Sequence, residues 1–582
     1  MRKLLRYLKP YWYIAIFSPL FMIAEVLVDL SLPTIMSTIV NDSIYAASVE
    51  EGLAVVSQNG LKMIILVIIG GLTGLGAAGF ASAASQSFGN DLRRDTFSHV
   101  MSLSPEQTDK FTVGSLVTRM TNDVTMMQSF VAQALRIFFR SPIMFVGGII
   151  MAISLNSKFA IVILISLPIQ LLIVIGVMKK AKPLFERMQD RLDGVNSVVQ
   201  ENVTGARVVK AYVREDHEIK RFHNANDNLF TVTLRVQNIL AIMSPLMMIV
   251  LNLAVIAVIF LGGYEIQSSA IEVGDVMAVI QYITQILNSV MMFSMMFQTI
   301  TRAQASAKRI NEVMDCEPVI KDGTYEGEGT EKIRGHVVFK NVTFRYPDAV
   351  DAPVLHDINL DIKPGENIAI LGATGSGKSS LVQMIPRYYD PIEGEILLDG
   401  VNVKDYTLKA LRTKIAYVLQ KSELFSGTIS ENLRWGNENA TDEELREAAS
   451  IAQAEEFIMH FNAGFETMVA EKGASLSGGQ KQRLSIARAL LKNPDVLIFD
   501  DSMSALDLTT SAKLQKALRE KLGDLTVITI AQRVASVMSA DRILVLDGGT
   551  IAAEGTHETL LQTSPIYRDI YESQLKRGED FE

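Results

Sequence analysis

The segment GATGSGKS at residues 372–379 combines three glycines with a lysine and a serine. Glycines allow backbone N–H groups to curl round phosphate groups, a lysine at this spacing reaches the β- and γ-phosphates, and the hydroxyl after it binds Mg²⁺. The run NIAILG leads into the segment and SSLVQMI leads out of it, which predicts the strand and the helix that such a loop requires. The segment therefore predicts a site for ATP and Mg²⁺. Its predicted nucleotide-binding residues are Gly372, Thr374, Gly375, Ser376, Gly377, Lys378, Ser379 and Ser380.

A second candidate metal ligand follows the apolar run Val496–Phe499. A short, wholly apolar run indicates a buried strand, and Asp500 stands where that run ends. Aspartates at the end of such a strand hold Mg²⁺ in P-loop proteins. Ser379 and Asp500 are therefore predicted to share one Mg²⁺ ion.

Residues 476–480 read LSGGQ and precede the helical pattern KQRLSIARALL. This pentapeptide is the signature of the ABC ATPases, and the chain resembles that family over its whole length. The resemblance implies that Tyr346 stacks on adenine and that residues 504–507 form the D-loop. It also implies that Gln420 forms the Q-loop and contacts both Mg²⁺ and the reacting phosphate.

The same resemblance implies that the chain works as a dimer. In the family, two ATPase domains meet head to tail, and each ATP lies between the phosphate loop of one domain and the signature of the other. The signature residues implied to contact the partner's nucleotide are Ser477, Gly478, Gly479 and Gln480. Upstream, the segments 114–124 and 201–215 resemble the cytoplasmic loops of ABC exporters, whose coupling helices press on the ATPase domains.

Two positions depart from the family pattern. Asp501 stands where the family has the glutamate that acts as general base, and Gln532 stands where it has the switch histidine. Asp is one methylene shorter than Glu, so its carboxylate falls roughly 1 Å short of the attacking water, and a misplacement of that size costs about 10²-fold in rate. Gln532 still donates a hydrogen bond but carries no charge. The catalytic set Asp501, Gln532 and Gln420 thus resembles the degenerate-site subunit of bacterial heterodimeric multidrug exporters, which holds nucleotide better than it hydrolyses it.

Composition divides the chain into two parts joined by a linker. Long apolar runs fill residues 1–313, an acidic, glycine-containing linker follows at 314–333, and residues 334–582 have the composition of a soluble α/β domain. The predicted fold is an all-α six-helix transmembrane domain followed by an α/β P-loop ATPase domain. The formal charge of −9 gives no signature of nucleic-acid binding, and the single cysteine, Cys316, excludes an intrachain disulfide.

Six runs are apolar over about the 20 residues needed to cross a bilayer. They lie near 12–37, 61–85, 129–154, 159–178, 239–262 and 276–300. The links after the second and fourth runs are long, polar and helix-prone, which predicts helices that continue into water. Because these links and the N-terminus carry the lysines and arginines that the other links nearly lack, both termini are predicted to be cytoplasmic. The first ten residues predict a short amphipathic helix that ends at Pro10.

Charged residues within the apolar runs allow two interpretations. Glu25 and Asp29 lie four residues apart on the first run, and Arg136 and Arg140 have the same spacing on the third. Intramembrane charges face a cavity or one another. The carboxylates therefore either attract cationic substrates or form a structural ion pair with the arginines.

Methionines are concentrated in the sixth run. Methionine is flexible and polarizable, so a surface lined with it repacks around unlike ligands. Lipid-facing or interhelical packing is the alternative interpretation. The methionines proposed to contact substrate are Met291, Met292 and Met295.

Together these features predict one half of a heterodimeric exporter that expels hydrophobic, often cationic, compounds through the cytoplasmic membrane. Its partner would be a homologous half-transporter with an intact catalytic glutamate and switch histidine. Three alternatives stay open: a lipid or peptide exporter on the same frame, a homodimer, and a nucleotide-gated channel or regulatory subunit.

Overall fold

The computed structural model divides the chain into two compact units. The first comprises Met1–Met101 with Thr112–Cys316, and the second comprises Ser102–Phe111 with Glu317–Glu582. The residues that the structure describes are all except 45, 269, 328–333, 347–352 and 580–582.

Six long helices make up most of the described part of the first unit. They span Trp12–Ile44, Val49–Ser102, Val124–Leu155, Phe159–Thr204, Glu215–Gln267 and Val273–Met314. Each predicted apolar run lies inside one of them. The first five are long and apolar enough, in the part of the chain that the structure describes, to cross a membrane. The predicted class of fold, a helical transmembrane region followed by an α/β domain, is confirmed.

Three of these helices are much longer than a membrane is thick. The second, fourth and fifth contain 54, 46 and 53 residues. At 1.5 Å per residue each exceeds the roughly 30 Å of a hydrocarbon core, so their polar ends continue past it, as the polar links predicted.

The N-terminal helix does not end at Pro10. A helix at Arg2–Leu5 leads into a 3₁₀ segment, Arg6–Tyr11, which contains Pro10 and continues directly into Trp12. The prediction of an end at this proline is wrong, because the tighter 3₁₀ turn accommodates a residue that lacks a backbone N–H at a junction between helices.

Short helices interrupt both long links. Pro105–Phe111 forms a separate helix that belongs to the second unit. The segment 114–124 that follows is itself helical: Val113–Thr118 and a π-helical turn at Arg119–Asp123 run without a break into the third long helix. In the other link, the short helix Ala206–Ala211 lies inside the segment 201–215.

Part of the predicted linker is bonded to the second unit. Gly323 N donates to Tyr406 O over 3.1 Å, and Tyr325 N donates to Asp405 O over 2.8 Å. A Cβ at Gly323 would lie 2.2 Å from the Asp405 carbonyl oxygen, so this close approach requires glycine. The linker residues 323–325 therefore pack against the second unit. Residues 328–333 of the linker lie outside the described residues.

The second unit is built on a six-stranded sheet that is parallel except for one edge strand. In order across the sheet the strands are Thr550–Gly555, Arg542–Asp547, Asn367–Gly372, Thr526–Ile530, Val496–Asp500 and Ile415–Val418. The strands Val496–Asp500 and Thr526–Ile530 are buried at every residue, and the first of them is accordingly apolar without alternation up to Phe499.

A smaller antiparallel sheet and a set of helices complete the second unit. The smaller sheet contains Leu355–Ile362, Val337–Phe344, Glu393–Leu398 and Val401–Asn402, and a two-stranded pair joins Gly427–Thr428 to Met468–Val469. The α-helices are Lys378–Gln383, Leu408–Lys414, Ile429–Arg434, Asp442–Ile451, Glu455–Met459, Gly478–Leu491, Leu508–Lys521, His557–Thr563 and Pro565–Glu579.

Candidate nucleotide-binding site

The segments predicted to bind nucleotide meet at one edge of the six-stranded sheet. Ile530 pairs with Ile370 on one side and with Asp500 on the other, and all three strands run parallel. Ligands of open α/β sheets bind outside the carboxyl ends of such strands. The phosphate loop, Asp501 and Gln532 therefore emerge side by side, although they are far apart in the sequence.

The phosphate loop has a backbone that only glycine adopts easily. Gly375 and Gly377 have φ values of +86° and +94°. A Cβ at Gly377 would lie 2.7 Å from a methyl carbon of Leu355, while Gly375 faces open space, as does the exposed Thr374 beside it. The loop thus keeps an uncovered backbone surface of the size and shape that phosphate groups require.

Lys378 lies inside this loop rather than on its surface. Its Nζ donates to the carbonyl oxygens of Gly372 and Ala373 over 2.9 and 2.7 Å. Burial lowers the pKa of Lys378, against the opposite pull of the Asp501 and Asp500 carboxylates. The ammonium group is therefore held where the negative charge of a phosphate would stabilise it, which fits ATP.

The aromatic residue implied to stack on adenine lies beside the loop. Tyr346 and Ser380 share a hydrogen bond of 2.9 Å between their hydroxyl oxygens, and Ser380 belongs to the helix that follows the loop. The Tyr346 ring packs edge-on against Phe344 and Tyr389, with centroids 4.9 and 5.2 Å away. Ser376, also predicted in the loop, is buried, with its Oγ 3.5 Å from Lys378 Nζ.

Ser379 and Asp500 converge as a Mg²⁺ site requires. Ser379 Oγ donates to Asp500 Oδ1 over 2.7 Å. Mg²⁺ in nucleotide sites is held by one or two protein oxygens together with phosphate oxygens. The described residues accordingly contain no cluster of three His, Cys, Asp or Glu side chains that could hold a metal by itself. Ser379 and Asp500 would hold the ion, and Mg²⁺ would supply positive charge that neutralises the phosphate groups.

The two atypical positions contact each other and Gln420. Asp501 Oδ2 accepts one hydrogen bond from Gln532 Nε2 over 2.7 Å and another from Gln420 Nε2 over 3.0 Å. Among the described residues, the other oxygen, Asp501 Oδ1, is buried without a hydrogen-bond partner. Burial raises the pKa of Asp501, although the two glutamine amides act in the opposite direction. The contact of Gln420 with Mg²⁺ stays a prediction, since its amide nitrogen is bonded to Asp501 here.

The signature segment opens a long helix. Ser477 caps the helix Gly478–Leu491: its Oγ accepts from Gln480 N over 3.3 Å, and Gln480 Oε1 accepts from Ser477 N over 2.9 Å. A Cβ at Gly478 would meet no atom within 4 Å, and one at Gly479 would meet only the Ala505 carbonyl oxygen, at 3.3 Å. In the described residues, no hydrogen bond joins this segment to the phosphate loop of the same chain.

The acidic residues of the first long helix share one arginine. Arg140 donates to Glu25, and its Nη2 lies 3.0 Å from Asp29 Oδ2. Arg136 is exposed and takes no part in this cluster. The predicted ion pairing therefore forms with Arg140, and two carboxylates against one guanidinium leave a formal charge of −1. A Cβ at Gly74 would lie 3.1 Å from the Glu25 carboxylate, so the second helix approaches the cluster closely.

The predicted methionines differ in burial. Met291 is half-buried and Met292 is 41% exposed. The side chain of Met295 lies outside the described residues. These positions are compatible with a pocket and with packing alike.

Two residues outside every predicted motif also contact this site. Tyr417 donates from its hydroxyl to Asp500 Oδ2 over 2.6 Å. Gln574, in the last helix, donates to the Gln532 carbonyl oxygen and accepts from Val534 N, both over 2.8 Å. Neither residue belongs to a motif, so no local pattern could have revealed it.

Comparisons with known proteins agree with this geometry. The ABC transporter transmembrane region matches residues 15–290, and the ABC transporter ATPase region matches residues 355–504. The chain is 40% identical to the uncharacterized ABC transporter ATP-binding protein YfiB of Bacillus subtilis over 577 residues, 99% of each protein. It is 31% identical to the putative multidrug export ATP-binding/permease protein YgaD of Bacillus subtilis over 576 residues, again 99% of each.

Two further similarities extend the comparison. Over 493 residues the chain is 35% identical to the ATP-dependent lipid A-core flippase of Desulfotalea psychrophila, covering 84% of this chain and 85% of the flippase. The solved structure of a bacterial Atm1-family ABC exporter with ATP bound superimposes with a TM-score of 0.80 at 25% identity, covering 97% of this chain and 98% of the exporter. The chain therefore belongs to the ABC transporters. Within them it is an exporter-type half-transporter, with one transmembrane region and one ATPase domain, and exporters of this type work as dimers.

Proposed function

We propose that this chain pairs with a homologous half-transporter to form a heterodimeric exporter in which its own ATP site mainly holds nucleotide. The partner would supply an intact glutamate and histidine to the second site, and this chain would supply the LSGGQ signature to it. Hydrolysis at that second site drives the transport cycle. The ATP held by this chain keeps the two ATPase domains together between turnovers.

The hydrogen bonds of Asp501 carry this proposal. A general base must reach the water that it activates. Both Gln420 and Gln532 donate to Oδ2 of Asp501, which directs the short side chain toward the two glutamines and reduces the basicity of that oxygen. A neutral amide at Gln532 also supplies less stabilisation to the developing charge on phosphate than a histidinium would.

The binding elements of the same site support retention of nucleotide. Lys378 lies within the phosphate loop, Ser379 is bonded to Asp500, and Tyr346 stands beside the loop. In the proposed mechanism, these residues bind and orient Mg·ATP. Asp501 does not remove a proton from water at a useful rate. Ser477 and its glycines complete the opposite site.

For the substrate, we propose hydrophobic and often cationic small molecules expelled through the cytoplasmic membrane, with both termini in the cytoplasm. The formal charge of −1 at Glu25, Asp29 and Arg140 favours cations. A lipid substrate is the second candidate, because a relative of this chain is named a lipid A-core flippase. The division into a transmembrane domain at 1–313, a linker at 314–333 and an ATPase domain at 334–582 belongs to the same proposal.

The proposal is tested by two substitutions in the purified exporter. Ser477→Arg should nearly abolish ATPase activity, because a bulky cation at the signature blocks closure over the partner's ATP. Asp501→Asn should change it little, because an amide oxygen can still accept from both glutamines. Ser477→Thr, which keeps the capping hydroxyl, is the matched control. In a homodimer both sites depend on Asp501, so an Asp501→Asn variant as inactive as Ser477→Arg would refute the asymmetry.

Copurification identifies the partner. A tagged copy of this chain should bring down a different half-transporter at equal stoichiometry. Recovery of an untagged copy of the same chain instead would support the homodimer. A nucleotide-gated channel is the remaining alternative. ATP-dependent movement of ions down their gradient, without uphill transport of a dye, would favour it.

A further inference from the structure

We infer that Tyr417 is a positioning residue for Mg²⁺, because its hydroxyl fixes the Asp500 carboxylate in the orientation that the metal's water shell requires. The inference rests on the proposed Mg·ATP site of this chain. It concerns a residue outside every motif of the site.

The contacts of Asp500 define this role. Ser379 donates to Oδ1 over 2.7 Å, and Tyr417 donates to Oδ2 over 2.6 Å. The carboxylate is therefore held at both oxygens, one from the phosphate-loop helix and one from the edge strand Ile415–Val418. Asp500 is only 5% exposed, so bulk water cannot replace either donor.

The position of Tyr417 is itself fixed from several sides. It pairs with Ile498 on the neighbouring strand. The Tyr388 ring packs against it with centroids 5.7 Å apart. A buried tyrosine hydroxyl needs a polar partner, and here the partner is Asp500.

Residues that orient a metal ligand affect the metal almost as much as the ligand does. Loss of such a partner typically weakens metal affinity about 10- to 100-fold. Without the Tyr417 hydroxyl, one oxygen of the buried Asp500 carboxylate has no donor in this arrangement, and the carboxylate is free to rotate away from the metal. If Tyr417 only filled space, its replacement by phenylalanine would leave metal affinity unchanged, because phenylalanine fills nearly the same volume.

The experiment compares Tyr417→Phe with Tyr388→Phe in the full-length exporter in lipid nanodiscs. Tyr388 is the matched control, since it is a neighbouring half-buried tyrosine for which the described residues show no hydrogen bond to Asp500. Mn²⁺, a paramagnetic substitute for Mg²⁺, is titrated into the equimolar ATP complex, and bound metal is measured by loss of the free Mn²⁺ EPR signal. The affinity for a fluorescent ATP analogue in EDTA is measured alongside.

Tyr417→Phe should weaken Mn²⁺ binding at this chain's site about 10- to 100-fold and leave the metal-free ATP affinity unchanged. In a heterodimer half of the bound Mn²⁺ should shift, and in a homodimer all of it. Tyr388→Phe should match the wild type. Unchanged or tighter Mn²⁺ binding in Tyr417→Phe would overturn the inference but not the proposed site. An equal loss of Mn²⁺ binding in Tyr417→Phe and Tyr388→Phe would do the same. Failure of the wild type to bind ATP at this chain's loop would overturn the proposed site and the inference together.

Discussion

Gln532 Nε2 donates a hydrogen bond to Asp501 Oδ2 across 2.7 Å, so the two residues that depart from the family pattern are bonded to each other. The backbone of Asp501 is also joined to the strand that precedes Gln532, because Asp501 N donates to the Ile530 carbonyl oxygen over 3.2 Å. Asp501 has a left-handed φ of +50°, which an aspartate tolerates better than most residues. The two substitutions therefore form one local arrangement rather than two independent changes.

The first prediction is that a longer carboxylate at position 501 and a chargeable side chain at position 532 restore hydrolysis at this chain's site. The double variant Asp501→Glu with Gln532→His should hydrolyse ATP about 100-fold faster there, because the carboxylate regains roughly 1 Å of reach. The measurement is made in a Ser477→Arg background, which silences the other site. Gln532→His alone is the control and should give a smaller gain. No increase in the double variant would mean that another feature limits this site.

The chain purified without a partner is predicted to hydrolyse ATP slowly. Typical enzymes turn over at about 10 s⁻¹, and this chain alone should fall well below that rate because each of its sites contains Asp501 and Gln532. Steady-state phosphate release from the purified chain, before and after coexpression with its partner, measures the difference. A rate near the typical value for the chain alone contradicts the prediction.

Gln574 is predicted to slow the release of nucleotide because it holds the switch segment, residues 532–534, in place. Its amide spans the segment, accepting from Val534 N and donating to the Gln532 carbonyl oxygen. Gln574→Glu keeps the acceptor and loses the donor, whereas Gln574→Leu loses both. A single net hydrogen bond contributes about 1 kcal/mol, so dissociation should accelerate roughly fivefold in the first variant and more in the second.

Stopped-flow dissociation of a fluorescent ATP analogue measures this effect. Gln562→Glu, on the exposed side of the preceding helix, is the control and should leave the rate unchanged. The prediction fails if the two Gln574 variants release nucleotide at the wild-type rate or in the reverse order.

The charge cluster in the membrane region is predicted to select cations. Asp29→Asn leaves Glu25 and Arg140 as a neutral pair, so transport of a cationic dye should decrease more than transport of a neutral dye of similar size. Glu265→Gln is the control, because that carboxylate pairs with Lys158 over 2.5 Å outside this cluster. Transport of both dyes into inverted vesicles provides the measurement. Equal losses for the two dyes in Asp29→Asn would assign the cluster to structure alone.

The sequence by itself determined what depends on local pattern. The phosphate loop, the strand before Asp500 and the signature are contiguous segments whose residue types define their chemistry, and the apolar runs are long enough to be recognised without a fold. The strand that leads to Asp500 was predictable for the same reason, since a strand buried on both faces shows a continuous apolar run, here Val496–Phe499. Pro10 misled because a 3₁₀ segment at a helix junction accommodates a proline without ending the helical path.

Only the tertiary structure decided which distant side chains meet. Gln420 lies 81 residues from Asp501, and Arg140 lies 111 residues from Asp29, yet each pair is in hydrogen-bond contact. Tyr417 reaches Asp500, which lies 83 residues further along the chain, because the order of the sheet places their two parallel strands next to each other. No local periodicity encodes such an order, because it follows from the packing of all the strands and helices at once. For that reason the sequence predicted which residues bind Mg·ATP, and only the fold revealed the side chains bonded to them.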